Sequence, residues 1–168
     1  MQRTWKIIIV IAIMIVLGIG AGVVGFLSGH REVEELPVAP SASSGALLTA
    51  PDRGEAATLV DGTMREFAAA VTEKDFTDFY GTISDLWRKQ TTAAKISEAF
   101  SGFFPFTREL KESVASGPLF NAPPLVNEKN ILILEGFYHI EATKMLFNLQ
   151  YVNENWQWKL LGMDVEVK

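Results

Sequence analysis

The sequence predicts an α+β fold in three parts: a single N-terminal transmembrane helix, a flexible linker, and a domain in which three helices pack on an antiparallel sheet. Three observations predict it. Residues 7–27 carry no charged or strongly polar side chain, apolar residues recur at helical spacing from Thr58 to Phe103, and from Ile131 to Val167 they alternate as in strands. Helices followed by antiparallel strands is the order of an α+β domain with its helices on one face of the sheet.

The segment 7–27, IIIVIAIMIVLGIGAGVVGFL, is long enough as a helix to cross the ~30 Å of bilayer hydrocarbon. Arg3 and Lys6 lie in the stub 1–6, while HREVEEL on the far side holds one arginine and three glutamates. The positive-inside rule therefore leaves the N-terminus in the cytoplasm and the rest outside it, in the periplasm of a Gram-negative cell. A cleaved signal peptide is the alternative, but its apolar core is usually shorter and is followed by a small-residue cleavage site. Gly18, Gly22, Gly25 and Gly29 include two small-xxx-small spacings that suit a packing face between membrane helices, although glycine is common in such helices anyway. Residues 28–56, rich in Pro, Ala, Ser and Gly, read as a tether. His30, beside Arg31, reads as solvated.

The remaining chain, 57–168, reads as the exported domain. Val60, Met64, Phe67 and Val71 form one helical stripe, weakened by Gly62. Asp75 suits an N-cap for a second helix carrying Phe76, Phe79, Tyr80, Ile83 and Trp87. Thr92 suits one for a third, with Ile96, Phe100 and Phe103 before Pro105. GPLFNAPP, residues 117–124, reads as loop with a short edge strand, and NEKN at 127–130 as a hairpin turn. Three long strands follow, Ile131 to Glu141, Thr143 to Glu154 and Trp156 to Val167, the last two joined tightly through Asn153–Asn155.

Composition narrows the function. The net charge of -5 comes from interspersed charges, which argues against nucleic acid as a partner, and the absence of cysteine removes disulfides, thiol catalysis and cysteine-ligated zinc. No cofactor is expected.

The stretch NILILEGFYHIEATKMLFNLQYVNENWQWKLLGMDV, after a helix pair holding KDFTDFY and ISDLW, resembles the nuclear transport factor 2-like superfamily. The resemblance spans about Thr58 to Lys168. It implies a cone in which a curved antiparallel sheet wraps around three helices and leaves a pocket at its open end. That fold hosts enzymes, ligand binders and association modules, so it implies no single activity.

Side chains alternate across a strand, so each strand sorts into two faces. Leu132, Leu134, Gly136, Tyr138 and Ile140, with Met145, Phe147, Leu149 and Tyr151, form clean apolar sets that must face the helices. Trp158 and Leu160 join them, and a bulge at Gly162 would turn Met163, Val165 and Val167 inward. The expected pocket for a small apolar ligand is lined by Tyr80, Trp87, Tyr138, Phe147, Tyr151 and Trp158. The opposite set, Ile131, Ile133, Glu135, Phe137, His139 and Glu141 with Leu146 and Val152, falls on the outer face.

EGFYHIE, residues 135–141, is the densest group of reactive side chains, and alternation divides it between the faces. Glu135 and His139 are about 13 Å apart along a strand, too far to share a metal ion with ligands ~2 Å away. His139 and Glu141, about 6.6 Å apart, supply only two ligands. No metal and no catalytic residue are therefore expected. Instead Ile131, Ile133, Phe137, Leu146 and Val152, rimmed by Glu135, His139, Lys144 and Gln150, make an exposed apolar patch that a second copy or an envelope protein would cover, the alternative being a C-terminal or linker segment of the chain itself.

The reading that follows is a non-catalytic, membrane-anchored association or ligand-binding module outside the cytoplasm, touching the bilayer through 7–27. Its layout is similar to envelope-assembly components with such a domain behind one anchor, including the inner-membrane assembly factors of type IV secretion machines. The alternative is a pocket enzyme of isomerase or hydrolase type resembling ketosteroid isomerase-like proteins, with a helix-borne carboxylate such as Asp75 or Asp85.

Overall fold

Asp52 and Glu55 start the fold by closing a capping box. The Asp52 carboxylate accepts the Glu55 N–H at 2.8 Å, and the Glu55 carboxylate accepts the Asp52 N–H at 3.3 Å. The computed structural model describes residues 48–140 and 143–168. From that cap helix α1 runs Arg53–Glu73, with Val60, Met64, Phe67 and Val71 fully buried along the stripe the spacing predicts. It starts within the segment read as linker, because D-x-x-E is a start signal that precedes the first apolar residue of the stripe. Lys74, at φ 56°, ends it with its N–H on the Ala70 carbonyl.

The expected second helix is two. Helix α2 spans Thr77–Thr82 and α3 spans Asp85–Arg88, with Ile83 and Ser84 extended between them. Ser84 causes the break: its N–H donates to the Leu160 carbonyl at 2.8 Å, and its hydroxyl accepts the Trp87 N–H at 3.1 Å, capping α3. Asp75 sits one residue before the N-cap of α2 and binds the Thr77 N–H and hydroxyl at 2.9 and 2.7 Å. Helix α4, Ala93–Ala99, is capped by Thr92 as the sequence predicts. A 3₁₀ segment, Ser101–Phe106, carries Pro105, and it leads into α5, Thr107–Ser116, which the sequence reading lacked. Only Leu110 and Ser113 of α5 are buried, too few to print a helical period.

The predicted architecture is therefore corrected in two respects. Five α-helices and a 3₁₀ segment stand where three helices were expected. Among the described residues no helix is long and apolar enough to cross a membrane. The segment 7–27, with Gly18, Gly22, Gly25 and Gly29, lies outside the described residues.

The sheet is antiparallel and five-stranded. β3 (Ile131–Ile140), β4 (Thr143–Glu154) and β5 (Gln157–Val167) pair in order, while β1 (Leu119–Phe120) and β2 (Leu125–Val126) both pair with the outer edge of β3. β1 and β2 act as one edge strand interrupted at Asn121–Pro124, where two prolines cannot donate to a ladder. The turn before β3 is closed by Asn127, whose side chain accepts the Lys129 and Ile131 N–H groups at 2.9 and 3.0 Å. Between β4 and β5 the turn is Asn155–Trp156, so Trp156 belongs to the turn and not to the strand. The register of β4 on β5 shifts between Gln150 and Tyr151, leaving Leu161 as the extra residue beside Gly162. Leu160, Met163 and Val165 are consequently all buried, the change of phase expected near Gly162.

Between helices and sheet lies an aromatic core. Phe67 packs edge-on against Phe76, Phe79, Phe100 and Phe103 at centroid distances of 4.9–6.2 Å. Truncating so central a ring typically costs about 3–5 kcal/mol. The sheet contributes Leu132, Leu134, Tyr138, Met145, Phe147, Leu149 and Tyr151, all buried, so the face assigned to the helices does face them.

Candidate functional site

Packing this tight leaves little open space between the helices and the middle of the sheet. Tyr138 and Phe147 are buried with their rings 5.5 Å apart, and Trp87, on α3, is buried as well. Tyr80 turns its hydroxyl to the Arg88 and Thr91 carbonyls at 3.2 and 3.4 Å. Of the six expected pocket residues, Tyr151 and Trp158 border a common groove, and the other four do not line it.

That groove, about 300 Å³, runs between α1, α2 and the start of β5 and is lined by Thr58, Gly62, Thr63, Glu66, Tyr151 and Trp158 among others. Thr63 and Tyr151 share a 2.9 Å hydrogen bond at its floor. Burial pushes the Tyr151 phenol above its ordinary value, the bond to Thr63 works against that, and the Glu66 carboxylate adds to it. The phenol is therefore neutral throughout the physiological range, a hydrogen-bonding group and not a base. Asp75 and Asp85, the carboxylates considered for an enzyme, are both exposed, the first held by Thr77 and the second ion-paired with Arg88, and neither lines the groove.

One carboxylate that the sequence reading missed does meet an expected pocket residue. Asp61, half-buried on α1, accepts the Tyr138 hydroxyl at 3.1 Å. Burial above all, then the Asp61 charge and hydrogen bond, raise the Tyr138 phenol. The signal for Asp61 was its place beside Val60 at the edge of the apolar stripe, close enough for a long inward tyrosine to reach.

The outer face is built differently. Register puts Leu119, Phe137 and Leu146 in one row across three strands, Leu125, Ile133 and Gln150 in a second, and Ile131 with Val152 in a third. Ile131, Ile133, Phe137, Leu146 and Val152 are half-buried, and Glu135 and His139 are exposed. Leu119 and Leu125, absent from the sequence-derived patch because their strands are only two residues long, are 48% and 58% exposed and extend it. Lys144 lies over the Phe137 ring at 4.6 Å and the His139 ring meets its edge at 5.1 Å, so both cover part of that side chain. Glu141 lies outside the described residues.

Between the apolar rows runs a polar one. Glu135 accepts the Asn148 amide at 2.9 Å, and both border a hollow of about 220 Å³ with Asn121, Asp164 and Glu166. Burial, then the neighbouring Glu166, hold the Asp164 carboxyl above its usual value, opposed by the Val165 N–H. Among the described residues no group of three or more His, Asp or Glu side chains is placed to hold a metal ion.

No family model, no curated protein and no solved structure matches the chain.

Proposed function

We propose that the domain is a non-catalytic association module that joins a second copy of itself through the outer face of the sheet. The observation that carries this reading is the set of apolar rows on that face, with Leu119 and Leu125 about half exposed on the edge strands. Monomers seldom leave apolar rows of this extent to water. A twofold pair would bury the rows of both copies at once, with the polar row enclosed between them and His139 toward the rim. The order of helices followed by an antiparallel sheet is similar to nuclear transport factor 2-like domains, and that resemblance supports pairing of this kind. A place outside the cytoplasm, with lipid contact through residues 7–27, is supported by the sequence of that run and by no described helix.

Sedimentation of residues 48–168, which retain the Asp52 cap, tests the pairing. Wild type should form a dimer and Phe137→Glu a monomer with unchanged circular dichroism. A monomeric wild type at high concentration would overturn the reading.

The Asp61–Tyr138 pair favours a second reading, a pocket enzyme of isomerase or hydrolase type with Asp61 as its base. It requires substrate to reach a bond that neither the groove nor the outer hollow includes. Isomerase turnover of an enolisable ketone that disappears in Asp61→Asn would establish it, and indifference to that substitution would exclude it.

A further inference from the structure

Trp156 is the most exposed large apolar side chain among the described residues, at 91%. It shares the β4–β5 turn with Asn155, at φ 65° and 53° respectively, the pair of positive values that a two-residue type I′ hairpin turn requires. Glycine is the favoured residue at the second of these positions, and a bulky side chain there is a conformational outlier. The indole is thus doubly unfavourable within the folded domain, exposed to water and set on a strained backbone. An outlier of this kind points to a role outside the domain's own packing.

Three observations identify the partner. Glu154, beside the turn, accepts the Asp85 N–H at 3.0 Å, which ties the first turn of α3 to this end; Leu86 on that turn is 45% exposed. The chain comes in at the same end: Thr49, Ala50 and Pro51 border Gln157 and Trp158, and the Leu48 N–H donates to the Asn130 side chain at 3.0 Å. About twenty residues separate Leu48 from the uncharged run 7–27.

We infer that Trp156 at the β4–β5 hairpin tip, with Leu86 on the α3 turn tied to the same end, inserts into the headgroup region of a lipid bilayer as a second contact for the chain. Indole suits that region because its ring is apolar and its N–H keeps a hydrogen-bond partner there. A single projecting ring also fits a lipid surface, which needs no shaped pocket around its anchor. The inference rests on the proposed lipid contact of residues 7–27.

The test uses the full chain in phosphatidylcholine vesicles, comparing wild type with Trp156→Gly. Glycine suits the turn better than tryptophan, so loss of signal in the variant is not loss of fold, and circular dichroism checks this directly. Subtracting the variant's emission from that of wild type isolates Trp156. That difference emission should be blue-shifted, quenched by lipids brominated in their acyl chains near the headgroup, and protected from aqueous iodide. A water-like difference emission that iodide quenches and brominated lipid does not would overturn the inference while leaving the lipid contact of 7–27 standing. Failure of the wild-type chain to float with vesicles would overturn both.

Discussion

Thr63 and Tyr151 show how a single hydrogen bond is both structural support and groove lining. Both groups are buried, and each is the other's partner across α1 and β4. Thr63→Val leaves the phenol buried without that partner and should cost about 1–3 kcal/mol in urea unfolding. Adding Tyr151→Phe should recover part of the loss, since no orphaned hydroxyl then remains. Asp164 acts through charge. Its folded-state value lies above the unfolded one, so the folded domain binds that proton more tightly and loses stability as pH rises through the unfolded value and then the folded one. Asp164→Asn should therefore raise the melting temperature at pH 7 and change it little below the carboxylate range. A lower melting temperature at pH 7 would mean that the Val165 N–H bond outweighs burial and Glu166. Trp156 is likewise unfavourable in the folded domain, since Trp156→Gly relieves a left-handed backbone and should stabilise the domain by roughly 1 kcal/mol in the same urea assay.

Strand β3 is held to its edge by a glycine. A Cβ at Gly136 would collide with the Leu119 carbonyl oxygen of β1 and stand 2.6 Å from the Phe147 ring on β4. Gly136→Ala should cost about 1–3 kcal/mol, read as a lowered urea midpoint, with β1 the first segment to lose amide protection. Stripes and alternation made α1, α4, β3, β4 and β5 legible in the sequence, because their buried faces repeat at 3.6 or 2 residues over a long enough stretch. The α2–α3 break was not legible. Its cause is the bond from Ser84 to the Leu160 carbonyl, a contact between residues far apart in the chain. Helix α5 was missed for want of a stripe, and β1 and β2 for their length.

Sorting the strands into two faces was legible too, and it carries the functional reading: one face closes against the helices, the other presents apolar rows. The pocket residues were harder to place, because inward orientation does not reveal whether neighbours fill the space. Tyr138 and Phe147 fill it with each other, whereas Gly62 and the start of β5 leave the groove that Tyr151 and Trp158 border. Leu119 and Leu125 join the outer patch only once the chain is folded, since their strands have no pattern of their own. Association through the outer face is the central claim, and sedimentation equilibrium of residues 48–168 tests it most directly. The account predicts a wild-type dimer that Phe137→Glu and Leu119→Glu each convert to a folded monomer, and a wild type that stays monomeric at high concentration would contradict it.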